Sequence, residues 1–119
     1  MKKILVVDDN ILNIRLVEAM MEPHYELIAA FNGIEGIEKA KEEIPDLILM
    51  DIQMPEMDGT KAMKEIKGTD GLEDVPIVAY TAFAMKGDME KLLQEGFDDY
   101  LEKPISISIL AELVNKYIG

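Results

Sequence analysis

The chain has 119 residues, 49% of them hydrophobic and only 6% aromatic, and its 24 acidic residues against 12 basic ones leave a net charge of -12. That balance argues against non-specific binding to nucleic acid or to an anionic membrane, since both need positive charge to displace counterions; it suits cation binding and, equally, plain solubility. The absence of cysteine excludes disulfides, thiolate metal sites and thiol redox chemistry.

The length suits a single hydrophobic core without staples, so one domain over residues 1–119 is expected. The chain opens MKKILVVDDN, two lysines and four apolar residues before two aspartates. That run is too short for a signal peptide, and a membrane span needs roughly 18 or more apolar residues, so a soluble, cytoplasmic protein is expected. Residues 3–7 (KILVV) read as a first strand. A helix follows, with Asn10 placed to cap it and Leu12, Leu16, Val17 and Met20 on one face. The lone His24 lies in the next turn and reads as an exposed histidine. Residues 25–30 (YELIAA) form a second, mixed strand, and Ile34, Ile37, Ala40 and Ile44 form a helical stripe after Asn32.

Residues 46–50 (DLILM) are a continuous apolar run, as expected for an interior strand covered on both faces. A short helix carries Ala62, Met63 and Ile66, and residues 68–76 form the one longer loop. Residues 76–80 (PIVAY) read as a fourth strand. A helix with Met85, Met89, Leu92 and Leu93 on one face then stops at Gly96, a left-handed cap. Residues 99–102 (DYLE) form a fifth strand. The last helix carries Leu110, Leu113, Val114 and Tyr117, with Ser106 placed to cap. The methionines in these stripes read as core filler. Five strands alternating with five helices imply right-handed crossovers and a doubly wound parallel sheet, with the second and fifth strands nearer its edges.

Such sheets bind ligands beyond the C-terminal ends of their strands. The residues standing there are Asp8 and Asp9 after the first strand, Asp51 after the third, Thr81 after the fourth, and Lys103 with Pro104 after the fifth. Each alone has a plain structural reading: aspartate caps amides at strand ends and helix starts, threonine ends strands, and most lysines lie on the surface. Together they do not. Three carboxylates gathered within several ångströms repel by on the order of 1–4 kcal/mol per close pair at intermediate dielectric, so the cluster calls for a cation. With oxygen donors and no His or Cys, that cation would be Mg²⁺, with Mn²⁺ as a possible substitute. A carboxylate beside such an ion and an ammonium can serve as a phosphoryl acceptor, with Thr81 donating to a phosphate oxygen.

In order and spacing, ILVVDDN, PDLILMDIQMPEMDG, VAYTA and YLEKPI strongly resemble the receiver domains of two-component response regulators, over essentially the whole chain. TAFAMKGD and GFDDYLEKPIS look most like receivers of hybrid histidine kinases and related single-domain regulators. The resemblance implies a flavodoxin-like (βα)5 fold with strand order 2-1-3-4-5. It implies phosphorylation of Asp51 by a phosphohistidine on a histidine kinase or phosphotransfer domain. Mg²⁺ would be held by Asp8, Asp9, Asp51 and the Gln53 backbone carbonyl. Lys103 would pair with the phosphoryl group, next to a cis bond to Pro104. Thr81 would be the switch hydroxyl and Tyr100 the aromatic that follows it, altering the face made by the fourth helix, fifth strand and fifth helix. Gln53 and Phe83 would tune the phosphoryl lifetime, and Asn10, Ile11, Asn13 and Ile105 would contribute to a partner surface. Monomer and phosphorylation-dependent dimer both stay open, as does the downstream protein partner.

Two other uses of such a fold fit less well. A Mg²⁺-dependent phosphatase with an aspartyl-phosphate would need a second acid where Gln53 stands. A flavodoxin-like FMN carrier would need a Ser-, Thr- and Gly-rich first loop, whereas DDNILN would repel phosphate.

Overall fold

The computed structural model describes residues 1–54, 56–82 and 86–119, with Lys86 by its backbone alone. Among these, five strands and five helices alternate: β1 (Lys3–Val7), α1 (Ile11–Met21), β2 (Glu26–Ala30), α2 (Gly33–Glu43), β3 (Leu47–Asp51), α3 (Gly59–Lys67), β4 (Ile77–Thr81), α4 (Lys86–Glu95), β5 (Asp99–Glu102) and α5 (Ile107–Ile118). The strands form one parallel sheet in the order β2-β1-β3-β4-β5. β1, β3 and β4 are therefore interior, which is why their sequences run apolar without alternation. Every residue of β3 and β4 is buried.

Alternate residues of each strand feed two cores. Leu5, Val7, Ile48, Met50, Ile77 and Ala79 pack under α2, α3 and α4. Ile4, Val6, Leu47, Leu49, Val78 and Tyr80 pack under α1 and α5. No described helix is long and apolar enough to cross a membrane.

β3 and β4 each begin and end one residue later than the apolar runs suggest. Pairing continues to Asp51 opposite Tyr80 and to Thr81 opposite Glu102, so both polar residues are the last rungs of their strands.

Several helix faces also differ from expectation. In α1 the buried residues are Ile14, Val17 and Met21, while Leu12 is 73% exposed and Leu16 also faces out. The sequence ILNIRLVEAMM is apolar nearly all round, and the sheet selects one phase of it. α2 buries Gly33, Gly36, Ile37 and Ala40. A Cβ on Gly36 would come within 2.9 Å of Val7 Cγ2, so glycine lets this helix lie close to β1. Ile44 is not part of that face; it is an exposed left-handed cap at φ 47. In α4 Leu92 is buried and Leu93 exposed, and Gly96 follows the helix at φ 128. The expected face residue Met85 lies outside the described residues. Ser106 occupies the cap position of α5 without a side-chain cap bond, its hydroxyl meeting that of Ser108 instead. Asn10 and Asn32 do cap α1 and α2, accepting from Leu12 N and Glu35 N.

Candidate phosphoacceptor site

The sheet register assembles the site. Val7 pairs with Met50, and Asp51 pairs with Tyr80. One step beyond Val7, Asp8 therefore stands beside Asp51, and its own N–H still bonds Ala30 O across to β2. Asp8, Asp51 and Tyr80 point to the α1/α5 face of the sheet, in one row across three strands. Past β5, Lys103 N donates to Thr81 O at 2.8 Å, which returns the lysine to the same rim.

Asp8 and Asp51 are buried and Asp9 is exposed, yet one carboxylate oxygen from each lies within 4.8 Å of the others. Lys103 Nζ bridges the buried pair, 3.1 Å from Asp51 Oδ1 and 3.4 Å from Asp8 Oδ2. Asp8 Oδ1 accepts from Asn10 N at 2.9 Å and Oδ2 from Asn13 Nδ2 at 3.0 Å, while Asp51 Oδ1 accepts from Gln53 N at 3.2 Å. Even so, burial, and next the negative charge of Asp8, push the Asp51 carboxyl up to about 6, against the pull of Lys103 and the Gln53 amide. The cluster is thus short of positive charge, and its oxygen-only donors suit a hard divalent ion such as Mg²⁺.

The turn after β3 is held from below. Gly59 N donates to Ile52 O, and a Cβ on Gly59 would fall 2.2 Å from the Asp51 carbonyl oxygen. Only a residue without a side chain lets α3 start this close to Asp51. Thr81 is buried at the end of β4 and lines a groove of about 430 Å³ that runs past Gln53 and Asp58 to Asp88 and Lys91 on α4. Tyr100 pairs with Ala79, two residues before Thr81, so it lies on the same sheet face; it is half-buried against the α2/α3/α4 core. The Lys103–Pro104 bond is cis, as is Glu22–Pro23. Phe83 lies outside the described residues.

The expected partner surface is altered. Ile105 is buried in the α1/α5 core, and Asn13 spends its amide on Asp8. Of that set, Ile11 keeps an exposed apolar side chain, with Leu12, Leu16, Ile107 and Ile109 exposed on the same two helices. His24 is exposed and remote from the site. Two contributors escape a reading of strand ends alone. Asn13 could have been found from its place one helical turn past Asp9. Tyr80 is the one aromatic side chain in β4.

These features define an acidic, lysine-bridged pocket at the carboxyl edge of a doubly wound sheet. A family model described as the response regulator receiver domain matches residues 4–115. The polar-differentiation response regulator DivK of Brucella anthropi is 44% identical over 119 residues, 99% of this chain and 97% of that protein. The receiver domain of the sensor histidine kinase PA1611 from Pseudomonas aeruginosa, solved with a magnesium ion coordinated in its active-site cleft, superposes at a TM-score of 0.90 with 38% identity, over 99% of this chain and 98% of that one. The Saccharomyces cerevisiae response regulator Ssk1 receiver, solved with the histidine phosphotransfer protein Ypd1, gives 0.89 with 30% identity, over 98% and 88%. The chain belongs to the response regulator receiver domains, the phosphoacceptor signalling domains of two-component systems.

Proposed function

We propose that residues 1–119 form a single cytoplasmic receiver domain that works as a Mg²⁺-dependent switch with Asp51 as its phosphoacceptor. The observation that carries this is the convergence of three carboxylates within 4.8 Å, two of them bridged by Lys103, on one strand-end rim. Asp8, Asp9 and Asp51, with the Gln53 backbone carbonyl, would hold Mg²⁺, which when bound supplies positive charge against the transferring phosphoryl oxygens.

An ionised Asp51 oxygen attacks the phosphorus of a phosphohistidine. A P–O bond forms, the P–N bond breaks, and the imidazole leaves with the electron pair and takes up a proton. Lys103, already against Asp51, then pairs with the new phosphoryl oxygens, and the Thr81 hydroxyl donates to another. Drawing Thr81 toward the site frees space for Tyr100 on the same sheet face. The population shifts toward one arrangement of α4, β5 and α5, and the downstream protein reads that face. Gln53 and Phe83 would limit water access, leaving at most slow autophosphatase activity. The yeast receiver solved with a phosphotransfer protein supports a phosphohistidine domain as donor, and exposed Ile11, Leu12 and Leu16 offer it an apolar contact on α1.

Amide NMR before and after treatment with phosphoramidate, a small P–N donor, tests the switch. The expected result is Mg²⁺-dependent shifts at Asp51 that extend through α4, β5 and α5. Shifts confined to the site, or none, would overturn it.

A further inference from the structure

Tyr80 is the one aromatic residue in a strand that is otherwise aliphatic up to its last rung, Thr81. It sits in the α1/α5 core at 1% exposure. An aliphatic side chain would fill such a place equally well but would offer no π face to a cation. The Tyr80 ring lies beneath Lys103, whose Nζ is 4.4 Å from the ring centroid. The register explains how it comes to lie there. Tyr80 pairs with Asp51 on one side and Leu101 on the other, so it fills the row between the carboxylates and the strand that leads to Lys103.

We propose that Tyr80 is a positioning residue of the phosphoacceptor site, its ring seating the Lys103 ammonium between Asp8 and Asp51. A lysine has four flexible bonds, and opposite charges alone would let its ammonium wander between two acids and water. The π face beneath it adds a second, directional attraction from the protein side and leaves the opposite side of the ammonium open toward the rim. The consequences for phosphorylation rest on the proposed function; the placement of Lys103 does not.

The test compares wild type with Tyr80→Phe, which keeps the ring, and Tyr80→Leu, which does not. Three readouts are taken: the proton shift of the Lys103 ε-methylene in metal-free protein, Mg²⁺ binding by calorimetry, and the rate of phosphorylation by phosphoramidate. The expected Lys103 signal is shifted upfield by the ring in wild type and Tyr80→Phe, and returns to the ordinary lysine position in Tyr80→Leu. Tyr80→Phe should bind Mg²⁺ and be phosphorylated like wild type, whereas Tyr80→Leu should be phosphorylated about tenfold more slowly. A Lys103 signal at the ordinary position in wild type, or a Tyr80→Leu phosphorylated at the wild-type rate, would overturn the proposal. Should Tyr80→Leu fail to fold, the Lys103 signal in wild type and Tyr80→Phe still decides. Should wild type refuse a phosphoryl group, the proposed function fails, and the Lys103 resonance judges Tyr80 independently.

Discussion

Lys103 Nζ stands 3.1 Å from Asp51 Oδ1, which ties the last residue of β3 to the residue just past β5. The same ammonium is 3.4 Å from Asp8, so one cation serves two buried acids. Removing one partner of such a group leaves charge that the interior cannot solvate, at a cost of about 3–5 kcal/mol. Lys103→Met in metal-free protein should therefore melt well below wild type at pH 7 to 8. The deficit should shrink as acid protonates Asp51, and also when Mg²⁺ is added. A melting temperature that matches wild type at every pH would show that the bridge carries no such weight.

Asp51 itself costs stability when ionised. Its folded pKa of about 6 lies above the 3.8 of an unperturbed aspartate. The folded state thus holds its proton more tightly. The penalty is absent below pH about 4 and complete above about 6. Asp51→Asn in metal-free protein should be more stable than wild type by about 1–3 kcal/mol at pH 7 to 8, converging with it near pH 4. Parallel pH profiles for the two proteins would contradict the raised pKa.

Gly59 allows α3 to begin against Asp51. An alanine methyl there would meet the Asp51 carbonyl oxygen at 2.2 Å, a backbone clash that rotamers cannot relieve. Gly59→Ala should lose about 3 kcal/mol of stability, at the upper end of ordinary overpacking, and should weaken Mg²⁺ binding with it. Denaturant melts and a Mg²⁺ titration measure both, and wild-type values in each would refute the close approach.

Ile44 caps α2 at φ 47, a conformation that a β-branched residue adopts only under strain. The side chain is 60% exposed, so little burial is lost on removing it. Ile44→Gly should raise stability by about 1 kcal/mol, after subtracting the greater freedom of glycine in the unfolded chain. A lower melting temperature would mean that the isoleucine contributes packing that outweighs its strain.

Much of this was legible before the structure. Continuous apolar runs marked β1, β3 and β4 as interior, and the rule that such sheets act at their carboxyl edges brought Asp8, Asp9, Asp51, Thr81 and Lys103 together. What sequence could not supply was phase. The helix α1 is apolar on several sides, and only the sheet decides that Ile14, Val17 and Met21 face it while Leu12 and Leu16 do not. Hydrophobicity also ends β3 and β4 too soon, because backbone pairing continues through Asp51 and Thr81 regardless of side-chain polarity. Ile105, expected on the partner surface through its place next to Lys103, is instead turned into the α1/α5 core. Nothing in the run PIVAY singles out Tyr80; it is the register that places it between Asp51 and Leu101.

Acceptance of a phosphoryl group by Asp51 with the help of Mg²⁺ is measured most directly by intact mass after incubation with phosphoramidate, with Mg²⁺ and with a chelator, for wild type and Asp51→Asn. A single phosphoryl adduct is expected on wild type, requiring Mg²⁺ and missing from Asp51→Asn. No adduct on wild type, or one that survives the substitution, would contradict it.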